Sequence, residues 1–276
     1  MPELPEVETI KNELLAFGLV GKEIEAIEVF NPSTIAEVPV EVFSKAILGK
    51  KVTEVHRRGK YIQLVIPPYV VFVHLRMTGK FLLSSQKPAE IGKHERLRIT
   101  FKGGLALSFD DTRKFGRWYL VKDSESISAK LGLEPLSPDF TIAYLQKVLS
   151  TRSRAIKPLL LDQTLIAGLG NIYVDEALWL AKIHPLRPAA SLTKKEMQAL
   201  HHAIRQVLEQ SILYRGTSLG EGKPNYQTVS GTRGGNQHHL KVYGNKGKSC
   251  ERCLSPISKT VVAQRGTHFC PVCQIL

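Results

Sequence analysis

The sequence predicts a multi-domain α+β protein, and three observations carry that reading. Residues 23 to 121 are a succession of short β-branched and aromatic runs separated by turn residues, the pattern of an antiparallel β-sandwich or barrel. Beyond about residue 130 the strand signal stops, and apolar residues recur at three- and four-residue steps as they do in helices. All four cysteines then fall near the C-terminus, as Cys250-x2-Cys253-x16-Cys270-x2-Cys273. With 276 residues, 43 % of them apolar, the chain can bury a sizeable core without disulfides.

Taken in order, Val7, Ile10, Leu14 and Phe17 form one apolar stripe, which predicts an opening helix running to about Gly18 or Gly21. Strands are expected over 24–30, 52–55, 61–66, 70–75, 97–101, 105–109 and 117–121, with Pro67-Pro68, Gly79 and Gly103-Gly104 in the turns. Residues 41–48 predict one interrupting helix. The stretch 133–138, with two prolines, reads as a linker, and helices follow at about 139–150, 155–161, 171–181 and 193–214. The last is marked by a capping box, Thr193 with Glu196, ahead of an apolar face of Met197, Leu200, Ile204, Val207 and Ile212. Residues 215–240 are polar, Gly-rich and nearly free of aliphatics, the composition of a mobile lid. The expected domains are 1–130, 131–216, the loop 217–240 and the cysteine segment 241–276.

Charge narrows the partners. Lys and Arg number 38 against 25 Asp and Glu, a net of +13, and the excess is uneven. Residues 1–30 hold seven acids and two lysines; residues 215–276 hold nine Lys or Arg and two Glu. A basic C-terminal third of that kind fits a polyanion, nucleic acid first. It lacks the amphipathic period of a membrane-surface helix. No apolar run approaches the roughly 18 residues of a membrane span, and the acidic start is unlike a signal peptide, so the expectation is a soluble cytoplasmic protein.

Several constellations can carry chemistry. With Met1 removed, the chain begins on the secondary amine of Pro2, and the next side chain is the carboxyl of Glu3: a nucleophile beside an acid. The plainer reading is helix initiation, and both can hold at once. The cysteine spacing is that of two knuckles around one structural Zn2+, the alternative being two disulfides in an oxidising compartment. The cysteines would hold a hairpin of 259–263 and 267–269 with Arg265 in its turn, where a guanidinium can meet a phosphate or simply be solvated. Gly168-Leu-Gly-Asn171, ahead of a helix, offers backbone N–H groups to an anion. His74-Leu-Arg-Met-Thr-Gly79 and Asp111-Thr-Arg-Lys-Phe-Gly116 place basic residues beside Met77 and Phe115, which either wedge into a base stack or fill the sandwich core. Lys60, Arg152, Arg154 and Lys157 suit phosphate contact, or a solvated face.

Joined in order, PELPEVET, RRGKY at 57–61, HLRMTG, DTRKFG, LGLEPL at 131–136, AGLGNIYVDEAL at 167–178, VYGNKG at 242–247 and AQRGTHFCPVC resemble the formamidopyrimidine-DNA glycosylase family from Pro2 to Cys273. The resemblance implies a helix-capped antiparallel β-sandwich, a helix-two-turn-helix domain and a C-terminal zinc ribbon. It implies a monomeric, nucleoid-associated DNA-repair enzyme, acting on double-stranded DNA that carries oxidised bases or abasic sites. Pro2 then corresponds to the amine nucleophile and Glu3 to the acid assisting ring opening, which calls for a raised Glu3 pKa. Lys60 and Arg265 correspond to phosphate-holding proton donors. Met77, Arg113 and Phe115 match the trio that fills the gap left by a flipped base, and His74, His94, Arg113, Arg152, Lys157 and Asn171 match DNA-contact positions. Two rivals stand beside this reading. One is the endonuclease VIII type, which prefers oxidised pyrimidines and from which Leu4 departs; the other is a non-catalytic zinc-ribbon protein that bends DNA.

Overall fold

A computed structural model describes residues 1–220, 222 and 224–276. The chain forms two compact units, Met1–Ala129 with Tyr214–Gly235, and Lys130–Leu213 with Asn236–Leu276. The parts of the expected mobile loop at Glu221 and Lys223 lie outside the described residues.

The first unit opens with helix α1 (Leu4–Ala16). Pro5 suits its first turn, where an N–H would have no partner, and Glu6 accepts the Glu3 backbone N–H at 2.8 Å. Val7, Ile10 and Leu14 are buried, as their spacing requires. Strands β1 (Ile24–Val29), β6 (Gly79–Ser84), β7 (Glu95–Phe101) and β8 (Ala106–Asp111) form one antiparallel sheet in the order β1-β7-β8-β6. Strands β2 (Ile35–Ala36), β3 (Glu54–Arg58), β4 (Tyr61–Ile66), β5 (Tyr69–His74) and β9 (Arg117–Val121) form the other, in the order β2-β9-β5-β4-β3. It is antiparallel except where β2 meets β9. Trp118 of β9 lies edge-on to Phe81 of β6 and Phe109 of β8, at 5.7 Å from each, so the two sheets close on one core as a sandwich. Helix α2 (Val40–Ile47) adds Phe43 and Ile47 to it, and the short α3 (Glu125–Ser128) ends the run.

The described residues of the polar segment 214–235 are anchored to this unit despite their lack of aliphatics. Tyr226 and Val229 enter the sandwich core. Thr217 N donates to Glu6 Oε1 at 2.8 Å, Val229 N donates to Glu13 Oε2 at 2.6 Å, and Arg215 pairs with Glu13. Carboxylates on α1 do here what an apolar stripe does elsewhere, by satisfying the loop's backbone.

The second unit contains α4 (Ile142–Leu149), α5 (Ile156–Leu161), α6 (Asn171–Leu180), α7 (Lys194–Leu213) and the hairpin β10 (Ser258–Val262) with β11 (Arg265–Phe269). The capping box of α7 forms: Thr193 N donates to Glu196 at 2.8 Å and Glu196 N to Thr193 Oγ1 at 3.2 Å. The proline-bearing stretch 133–138 is held in place, because Arg205 donates to the carbonyls of Pro135 and Ser137. No helix of the described residues is long and apolar enough to cross a membrane.

Candidate active site and nucleic-acid interface

Pro2 and Glu3 are buried at the start of α1, held there because Val7, Ile10 and Leu14 key the helix into the core. Lys60 is buried in the two-residue turn between β3 and β4, which Gly59 makes possible with a φ of 57°. The terminal amine in this structure belongs to Met1, one residue ahead of the nitrogen that becomes terminal when Met1 is removed. Its pKa is lowered, chiefly because burial strips water from the ammonium, with Lys60 and Arg113 adding to the effect while Glu3 and Glu6 oppose it. An amine at this end of the chain therefore sits among two carboxylates and two cations, in surroundings that favour its neutral, nucleophilic form.

His74 ends β5, buried and edge-on to Tyr61 at 4.7 Å. Its Nδ1 accepts the Arg76 backbone N–H at 3.0 Å, so a neutral ring carries its proton on Nε2. Burial, with help from Arg76 and Lys60, holds the His74 pKa down at about 3. Because the unfolded ring titrates near 6.5, the unfolded chain binds more protons between those two values. The contribution of a neutral His74 is therefore complete above about pH 6.5 and is lost as the pH falls towards 3. Urea titrations at pH 7 and pH 4.5 are expected to show His74→Gln losing about 2 kcal/mol less stability than the unaltered chain over that interval. Equal losses would show that His74 does not carry this acid sensitivity.

Met77 and Phe115 stand out of the core, 37 % and 47 % exposed, which decides against the core-filling reading of both. They occupy the turns between β5 and β6 and between β8 and β9, and the Arg113 guanidinium lies 4.7 Å over the Phe115 ring. His94 is part-exposed just ahead of β7, and Arg152 is exposed just past α4.

In the second unit, Gly168 adopts a φ of 92° before α6, and Asn171 Nδ2 donates to the Gly266 carbonyl at 2.8 Å, tying this turn to the hairpin. Two expectations change here. Arg265 is not in the hairpin turn; it is the first residue of β11, exposed and paired with Val262. The turn is Ala263-Gln264, both at positive φ (47° and 62°), as the twist of a two-residue hairpin demands. Lys157 is not a surface contact for DNA. It is 0 % exposed, and its Nζ bonds Asp175 at 2.6 Å and Thr267 Oγ1 at 2.8 Å, since a buried ammonium needs a charged partner.

The acids that fasten this hairpin and the segment leading to it escaped the sequence reading. Asp175 also accepts the His268 N–H at 2.8 Å, and Glu176 accepts the N–H groups of Lys241, Val242 and Tyr243 at 2.8 to 2.9 Å. Their signal is an adjacent acid pair inside the otherwise apolar IYVDEALWL of α6. The four cysteines are unbridged, with ligand atoms all within 4.8 Å of one another. The Sγ separations of 3.9 Å (Cys250–Cys273) and 3.4 Å (Cys253–Cys270) bracket the ~3.8 Å edge of a tetrahedron with Zn–S bonds of ~2.3 Å. The donor set fits one structural zinc ion, and four thiolates leave no position for substrate.

The site is thus a sandwich with its chain start buried among carboxylates and cations, and a helical unit that pins a hairpin whose four thiolates fit one zinc ion. Three family models match in chain order: formamidopyrimidine-DNA glycosylase N-terminal domain over residues 1–118, formamidopyrimidine-DNA glycosylase H2TH domain over 131–221, and zinc finger found in FPG and IleRS over 247–275. The formamidopyrimidine-DNA glycosylase of Protochlamydia amoebophila is 48 % identical over 277 residues, covering 99 % of each chain. That of Geobacillus kaustophilus is 42 % identical over 280 residues, 99 % of this chain and 100 % of its own. A Lactococcus lactis Fpg variant in complex with Fapy-dG-containing DNA superposes with a TM-score of 0.91 at 40 % identity, over 99 % of both chains. Lactococcus lactis Fpg with abasic-site DNA gives 0.90 at 40 % identity, over 99 % of both. The chain belongs to the formamidopyrimidine-DNA glycosylase family of base-excision repair, whose members are DNA glycosylases and abasic-site lyases.

Proposed function

We propose that this chain excises oxidised purines, 8-oxoguanine and formamidopyrimidines, from double-stranded DNA and then nicks the strand by β,δ-elimination. The observation that carries the proposal is the burial of the chain start beside Glu3, Glu6, Lys60 and Arg113. With Met1 removed, the Pro2 nitrogen attacks C1′ of a nucleotide swung out of the stack and gives up its proton, and the damaged base leaves with its bonding electrons and takes up a proton in turn. Glu3 gives a proton to the ring oxygen, the ring opens, and an iminium joins the sugar to Pro2. That cation acidifies the C2′ proton. Its loss expels the 3′ phosphate, and a second elimination expels the 5′ phosphate. Lys60 and Arg265 hold those phosphates, Met77, Arg113 and Phe115 fill the vacated stack, and His74, His94, Arg152 and Asn171 grip the flanking backbone. The zinc ion keeps the hairpin of Arg265 folded. Leu4 supports the purine preference. The net charge of +13 supports a polyanion substrate, on which we take the enzyme to act as a monomer at the cytoplasmic nucleoid.

Single-lesion duplexes test the proposal. Those carrying 8-oxoguanine or a formamidopyrimidine are expected to be cut roughly tenfold or more faster than one carrying 5-hydroxyuracil. The reverse order would assign the chain to the oxidised-pyrimidine type, and binding without scission would leave a DNA-bending protein.

A further inference from the structure

We propose that Asp111 is the positioning residue of the stack-filling side chains: one buried carboxylate that sets the turns of Met77, Arg113 and Phe115 together. The inference rests on the wedge reading given above and adds a residue to it. Asp111 is the last residue of β8, pairs across the sheet with Gly79 of β6, and is 1 % exposed. Its carboxylate reaches both turns at once. Oδ1 accepts the Thr78 hydroxyl and, at 3.1 Å, the Arg113 backbone N–H; Oδ2 accepts the Gly116 N–H at 2.7 Å. Thr78 Oγ1 in turn accepts the Arg113 N–H at 3.1 Å, so the two turns are bonded to each other as well as to the carboxylate. The backbone of Asp111 is fixed too, donating to the His94 carbonyl and accepting from Arg96 Nε, both at 2.8 Å.

What these bonds hold is a backbone that would not hold itself. The residue before each apolar tip, Arg76 before Met77 and Lys114 before Phe115, is left-handed, with φ of 54° and 59°, a conformation that residues with side chains rarely adopt. Each turn also ends on a glycine seated against the Phe109 ring. A Cβ at Gly79 would lie 2.8 Å from that ring and 2.5 Å from the Leu75 carbonyl oxygen, and one at Gly116 would lie 2.4 Å from the ring. Phe109 is itself locked edge-on between Phe81 and Trp118. The apolar tips are thus held in solvent by a rigid floor below and a shared carboxylate between them. A wedge prepared in this way enters the stack without first being ordered.

The test uses duplexes with 2-aminopurine beside the lesion, whose fluorescence rises when the stack is broken. Asp111→Asn keeps the shape but turns into a donor one of the two oxygens that between them accept the Thr78 hydroxyl and the Arg113 and Gly116 N–H groups. It is expected to lose most of that rise, and its excision of a paired 8-oxoguanine is expected to fall roughly tenfold further than its scission of an abasic-site duplex, where no base has to be expelled. A merely structural role would lower both reactions in proportion. Thr78→Val, which removes one donor and leaves the carboxylate, is expected to shift the same ratio by a smaller factor and decides the matter if Asp111→Asn does not fold. An unchanged ratio with an undiminished rise would overturn the inference. The absence of any rise with the unaltered chain would remove the wedge reading, and the inference with it.

Discussion

A chain that keeps a residue in front of Pro2 is expected to lose strand scission and borohydride trapping on abasic-site DNA by roughly a thousandfold or more. The reason is the nature of the nitrogen. Inside the chain, Pro2 N is a tertiary amide, its lone pair delocalised into the preceding carbonyl, and it cannot attack a sugar carbon. At the terminus it is a secondary amine with a free lone pair, one residue on from the Met1 amine, whose pKa burial already lowers among Glu3, Glu6, Lys60 and Arg113. The variant is made by inserting a bulky residue that blocks methionine removal. Its fold is checked by thermal melting, since the core residues Val7, Ile10 and Leu14 are untouched. Undiminished trapping by such a chain would move the nucleophile elsewhere.

Removing the zinc is expected to be nearly as severe for DNA cutting, for a different reason. Cys250 and Cys270 share a small apolar cluster with Trp179, Val242 and Ile257, too few side chains to keep a hairpin folded unaided. A structural zinc contributes on the order of 10 kcal/mol or more to a domain of this kind. Its loss leaves β10 and β11 held by the bonds of Asn171, Lys157 and Asp175 to Gly266, Thr267 and His268, and loosens Arg265, whose exposed guanidinium depends on the hairpin for its position. Metal analysis is expected to find one zinc per chain. Chelation or Cys270→Ser is expected to reduce scission of a lesion duplex about a hundredfold or more, with Pro2 chemically intact. A zinc-free chain that cuts at the original rate would leave the hairpin without a part in the reaction.

How much of this was legible in the sequence depended on whether a signal was local. The α7 capping box and the cysteine knuckles each lie within a few residues and are found where their spacing puts them, and the α1 stripe holds for Val7, Ile10 and Leu14, whereas Phe17, expected to continue it, lies just past the helix end and is 47 % exposed. β6 was missed because it begins on Gly79, which reads as a turn residue, and β2 is only two residues long. Lys157 reads as a surface cation because its partners Asp175 and Thr267 are 18 and 110 residues away. The segment 215–240 reads as a mobile lid because the carboxylates that anchor part of it, Glu6 and Glu13, belong to α1. Asp111 opens a recognisable motif, yet nothing local shows that its carboxylate also serves Thr78 in another motif.

The most direct measurement is a peptide map of the complex trapped by borohydride on abasic-site DNA. The sugar remnant is expected on a peptide whose first residue is Pro2, from a chain whose intact mass shows Met1 removed. A remnant on a lysine such as Lys60, or on a chain still beginning with Met1, would contradict the terminal imino nitrogen as the attacking group.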